Sequence, residues 1–248
     1  DLNRSFPGHE GGSLAAQLAH CFLTNVIERC TLGIDMHTAA VHRYNLPQIR
    51  IASGSPYLVE LAMAFGAPII VESPLRPGSM RALAAEREVP MLLLEAGEAL
   101  RFDRYSIGVG AAGVLRVLAH IGMIAASDGL EDVAVPMRAN RSQWVRAPRG
   151  GVSRRVRKSG DIVRQGNLLA VVGGLFGEDG IELVSPIDGV IIGHATLPVV
   201  NQGDALFHIA EVGALDHVGE NAHSIVEAMA VSDPPFPASP ILDEDELL

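Results

Sequence analysis

Residues 89–95 (VPMLLLE) constrain this 248-residue chain more than any other stretch. Four consecutive apolar residues, Met91 to Leu94, leave an extended strand no polar face, so the strand must be covered on both sides. Coverage of that kind comes from helices packed on both faces of a sheet. The surrounding sequence supplies them. Residues 32–36 and 68–71 are further short apolar runs, and residues 13–30, 55–65, 78–88 and 103–124 carry helical spacing. In the first of these segments Ser13 is a candidate N-cap. Leu14, Leu18, Cys21, Phe22, Val26 and Cys30 fall on the face expected to meet the core. Alternating strands and helices predict an α/β layer fold with a parallel or mixed sheet.

The character of the chain changes after about residue 136. Residues 147–210 hold short Val/Ile/Leu runs and many glycines, with no helical period. A weak repeat runs through them. Gly151-Val152 returns as Gly189-Val190, and the V-x-Q-G-N-L-L segment at 163–169 returns as V-N-Q-G-D-A-L at 200–206. Two copies of a strand–turn–strand unit predict a small pseudo-symmetric β-domain. The expected organisation is an α/β domain over residues 1–136, an all-β domain over 137–212, and an acidic, Pro-rich tail over 213–248 that is poorly ordered.

The net charge of −10 argues against a nucleic-acid partner. Residues 138–164 nevertheless hold eight Arg and Lys158, the chain's one lysine. This basic stretch reads as a solvated face or an interface network, and is the candidate contact for a homo-oligomer. No apolar run approaches the roughly 18 residues of a membrane span. The start carries no initiator Met and no basic-then-apolar leader, as expected of a processed or truncated chain. Cys21 and Cys30, on one helix, would lie about 13 Å apart, too far for a bridge. With two cysteines and no disulfide framework, a reducing cytoplasm is expected.

Few residues carry candidate chemistry. His37 closes an apolar run in Asp35-Met36-His37-Thr38, where open α/β sheets place ligands. It reads either as a metal ligand, with Asp35 orienting it from behind, or as a structural histidine. Glu95 ends residues 91–95, and is either a desolvated general base or a solvated strand end. Asn3 and Arg4 form either a carboxylate clamp or an ordinary polar loop. His9 and Glu10 read as surface loop, and His42, His120, His194 and His208 as structural.

These residues fit one family together. Asp1-Leu2-Asn3-Arg4-Ser5-Phe6-Pro7-Gly8 resembles the D-L-N-R-x-F-P-G segment of the succinylglutamate desuccinylase/aspartoacylase family of zinc carboxypeptidase-like hydrolases. Ile34-Asp35-Met36-His37-Thr38 resembles its D-L-H-[ST] segment, Leu94-Glu95-Ala96-Gly97 its E-x-G segment, and residues 108–124 the helix that follows. The resemblance covers roughly residues 1–212. It implies a carboxypeptidase-like mixed sheet flanked by helices, with a small barrel-sandwich-like β-domain. It also implies zinc held by His37, Glu95 as the base that activates water, and Asn3 and Arg4 on the substrate carboxylate. The implied activity is zinc-dependent hydrolysis of the amide of a small N-acyl amino acid, a linear amide.

In the family two further zinc ligands lie in an H-x-x-E segment ahead of D-L-N-R, along with an Arg that polarises the scissile carbonyl. This chain starts at the Asp of D-L-N-R. It is therefore expected, taken alone, to be inactive and metal-poor, with the activity belonging to a longer parent. The alternative is a non-catalytic member without a complete metal site that binds a carboxylate ligand. The β-region also resembles biotinyl and lipoyl carriers. Carriage needs a lysine on the hairpin near Glu182, and Lys158 lies well outside it, so a supporting role is expected instead.

Overall fold

The computed structural model describes residues 1–125, 134–177 and 179–213. The acidic tail expected at 213–248 lies, but for Gly213, outside them. The first half of the chain runs α1 (Leu14–Asn25), β1 (Gly33–Ala39), β2 (Arg43–Ile51), α2 (Pro56–Phe65), β3 (Ile69–Glu72), α3 (Met80–Glu86), β4 (Met91–Glu98) and α4 (Arg104–His120). The second half is described as strands: β5 (Met137–Ala139), β6 (Ser142–Arg146), β7 (Gly151–Arg155), β8 (Ile162–Val163), β9 (Leu168–Gly173), β10 (Ile181–Val184), β11 (Gly189–Ala195), β12 (Val199–Val200) and β13 (Ala205–Ala210). The helices start where the sequence offers a cap. The side chains of Ser13, Ser55, Ser79 and Asp103 each accept a backbone N–H three residues on.

The large sheet is mixed, as expected. β1 pairs parallel with β4, and β4 antiparallel with β2. The sheet then divides at β2. Residues 48–51 of β2 pair parallel with β3, whereas residues 43–45 pair antiparallel with β11. β3 leads on to β5, and β11 leads through β13 to β6. One sheet thus carries strands from both sides of residue 136, and an apolar cluster joins Leu46, Ile69 and Val71 to Met137, Val190, Ile192 and Ala210. β10, β9, β7 and β12 form a separate antiparallel sheet. The sequence repeat shows as reciprocal pairing: β7 pairs with β12, and β11 with β8.

Register sorts the side chains of the large sheet. Leu92, Leu94, Ile49 and Ile51 face the side covered by α2 and α4, packing with Leu58, Leu61, Phe65 and Val117. The intervening residues face the other way. On β1 these are Asp35 and His37, opposite Leu93 and Glu95 of β4. On β2 they are Gln48 and Arg50, opposite the same Glu95 and Leu93. One further residue joins this face through an irregularity. Asn45 lies opposite Gly97 and Gln48 opposite Glu95, so three steps along β2 match two along β4. Pro47, which has no N–H to donate, sits in this bulge.

One sequence expectation fails. α1 ends at Asn25 rather than 30, and the face it buries is Ala19, Leu23 and, in the short 3-10 turn beyond, Ile27, packed on Phe6 and Leu83. Leu14 (73% exposed), Leu18, Phe22 and Val26 face outward, and Cys21 and Cys30 are free and exposed. The segment has two apolar stripes, and helical spacing alone does not say which meets a partner. No helix among the described residues is long and apolar enough to cross a membrane.

Candidate active site

The polar face of the sheet gathers the expected residues. His37 and Glu95 are register partners on adjacent strands. His37 Nε2–H donates to Asp35 Oδ2 at 2.9 Å. This bond raises the His37 pKa, against the opposing effect of burial. It also leaves Nδ1 of the neutral ring free to bind elsewhere. Glu95 Oε2 accepts from Asn45 Nδ2 at 3.1 Å. Glu95 therefore does not end a strand in solvent. It lies inside β4, which continues to Glu98.

Asn3 and Arg4 lie in a 3-10 turn at Leu2–Arg4. Asn3 Oδ1 accepts the backbone N–H of Met80 at 2.9 Å, at the start of α3. Phe6 N–H donates to Gly78 O at 3.1 Å. The turn is thereby tied to the loop that carries Arg76 and leads into Arg81. The Arg4 guanidinium donates to the carbonyl of Asn3 and is exposed.

The structure adds arginines that sequence reading missed. Arg50 stands on the polar face and is close enough to Glu95 and Arg76 for charge coupling. Arg81 is coupled to Arg50, Arg76, Glu95 and Asp35. Burial, above all, lowers the pKa of both Arg50 and Arg81. Arg81 Nη2 donates to Ser73 and Pro74, yet its Nη1 and the Nε of Arg50 are buried with no partner among the described residues. Like charges with orphaned donors are costly, and a carboxylate between them relieves both costs. Near the opposite surface of β1 and β4, Met36, Leu94, Ala96, Ile107 and Gly110 line a mainly apolar cavity of about 360 Å³.

The chain is similar to known proteins of one family over its first half. The succinylglutamate desuccinylase/aspartoacylase catalytic domain matches residues 1–121. Residues 1–121 belong to this family. The N-alpha-acetyl-L-2,4-diaminobutyric acid deacetylase of Halomonas elongata is 26% identical over 224 residues, which are 86% of this chain and 65% of the relative. The chain thus spans 65% of that relative's length. A succinylglutamate desuccinylase/aspartoacylase from Rhodobacter sphaeroides superposes with a TM-score of 0.75 at 26% identity, over 86% of this chain and 68% of that one. The apo ectoine utilization protein EutE (DoeB) of Ruegeria pomeroyi gives a TM-score of 0.76 at 21% identity, over 85% and 70% of the two chains, and shows the shared fold.

The zinc expected of a desuccinylase/aspartoacylase relative can be tested against the donors present. An imidazole backed by a carboxylate, as in His37–Asp35, suits zinc. A catalytic zinc needs about three protein ligands, however. Among the described residues no group of three His, Cys, Asp or Glu side chains is placed to hold a metal ion. The described residues therefore do not complete a zinc site. Two H-x-x-E sequences do occur within the chain, at 208–211 and 217–220. The first is no ligand pair: His208 stacks on Trp144 and bonds Ser142 Oγ at 2.9 Å, while Glu211 lies 3.6 Å from Arg141. The second lies outside the described residues.

Proposed function

We propose that this chain provides most of the catalytic apparatus of a hydrolase that removes the acyl group from a small N-acyl amino acid. One observation carries the reading: Glu95 and His37 are ladder neighbours on a polar sheet face bordered by Arg50, Arg76 and Arg81. The deacetylase named for the Halomonas relative supports the same reaction class. Glu95 takes the proton of the attacking water and delivers it to the departing amine. The arginines hold the substrate carboxylate, so that attack occurs within a fixed pair. His37 is proposed as one zinc ligand, with the others coming from outside the described residues. Asn3 and Arg4 serve the substrate side, Asn3 by fixing the start of α3. Cytoplasmic location and a barrel-sandwich role for the C-terminal strands belong to the same proposal.

The test is amino-acid release from N-acetyl and N-succinyl amino acids by the full-length protein supplied with zinc. Glu95→Gln is expected to lower kcat by at least about a hundredfold. A second reading is favoured by a metal donor set that is incomplete among the described residues: a carboxylate-binding protein without turnover. Saturable binding of an N-acyl amino acid with no hydrolysis, by full-length protein that takes up no zinc when the metal is supplied, would select it.

A further inference from the structure

We propose that Asn45 is the residue that aims the Glu95 carboxylate, and that β11 is built to hold Asn45 in place. The inference rests on the reading of Glu95 as the base. Asn45 is buried, and its Nδ2–H donates to Glu95 Oε2 at 3.1 Å. One carboxylate oxygen is thereby fixed, which leaves Oε1 to face the water whose proton it takes. The β2 bulge at Pro47 is what turns Asn45 to the Glu95 side, since residues 45 and 48 of a regular strand would face opposite ways.

The other half of the device is contributed by the C-terminal strands. Gly193 of β11 is the register partner of Asn45. A Cβ on Gly193 would lie 2.8 Å from Asn45 Oδ1, so any side chain there pushes the amide away. The preceding residue acts on the neighbouring amide. Gln48, register partner of Glu95 and fully buried, donates from Nε2 to Ile192 O at 3.2 Å. Two consecutive residues of β11 thus brace the two buried amides of β2 that flank Glu95. Asn45 is a positioning residue, and Gly193 supplies the room it needs.

The experiment compares kcat and KM of the full-length, zinc-supplied protein carrying Asn45→Ala, Gly193→Ala, both together, or Glu95→Gln. Asn45→Ala is expected to lower kcat about ten- to hundredfold, with KM changed less than about twofold. Gly193→Ala is expected to lower kcat in the same way. The double variant should lose no more than Asn45→Ala alone, because the added methyl then has no amide to displace. Asn45→Leu, close in volume, replaces Asn45→Ala should the latter fail to fold. Loss of activity in Glu95→Gln with unchanged kcat in both Asn45 variants overturns this inference and leaves the function standing. So do losses that multiply in the double variant. Activity retained by Glu95→Gln, or none in the wild type, instead overturns the reading of Glu95 itself, and this inference with it.

Discussion

Arg50 has the least room to be a bystander among the side chains of the polar face. Its buried Nε–H has no partner among the described residues, and it stands within charge range of Glu95 and Arg76. Arg50→Gln should therefore raise KM for an N-acyl amino acid by about ten- to a hundredfold, the worth of a lost charged hydrogen bond, while kcat changes less. Steady-state kinetics on one substrate decides this. Two histidines make a second prediction. Burial holds His194 and His208 down to about 3, and His194 Nδ1 accepts from Ser159 Oγ at 2.7 Å. The unfolded chain gains a proton on each near pH 6.5, whereas the native chain does not. Their stabilising effect is complete above pH 6.5 and is lost as pH falls toward 3, at about 1.4 kcal/mol per pH unit for each. Denaturant melts between pH 7 and 5 should show a shallower slope for His208→Asn than for wild type. At this scale the sequence was informative where a polar residue punctuates an apolar run, as His37 and Glu95 do. Asn45, Gln48 and Arg50 were not legible, because their meaning depends on strands 50 to 150 positions away in the chain.

The helices were largely legible as elements, since serine and aspartate caps and apolar spacing are local signals. β2 was not. Its sequence, RYNLPQIRI, mixes polar residues for the site face with apolar ones for the core and breaks its own alternation at Pro47. α1 shows a different limit, because the stripe that packs is the one with a partner in Phe6 and Leu83. Leu23→Ala should cost about 2–5 kcal/mol, whereas Leu18→Ala on the outer stripe should change stability by less than about 1 kcal/mol; paired urea melts separate the two. Between α2 and α4, a Cβ on Gly113 would come within 2.3 Å of the Phe65 ring. Gly113→Ala is therefore expected to destabilise by about 1–3 kcal/mol, despite the roughly 1 kcal/mol that alanine gains in a helix. A rise in melting temperature would contradict this.

At the scale of the whole molecule, β2 is the hub. It borders β4, β3 and β11 at once, so the α/β half and the C-terminal strands share a sheet and part of a core. A chain cut at residue 136 would expose β2 residues 43–45 and strip Val190, Ile192 and Ala210 from around Leu46. It is expected to aggregate or to lose cooperative melting, which size-exclusion chromatography and calorimetry would reveal. The composition change near residue 136 was visible in the sequence, but the shared sheet was not, because strand pairing across 150 residues leaves no local mark. The β2 bulge has one more consequence, for insertions and deletions. Removing a single residue between Asn45 and Gln48 would leave them two steps apart, matching the two steps from Glu95 to Gly97, so regular pairing would keep Asn45 on the Glu95 side. The bulge is thus the one place in β2 where a residue can be lost without turning Asn45 away from Glu95, and Pro47 rather than Leu46 is the residue to lose, since Leu46 packs in the core shared with the C-terminal strands.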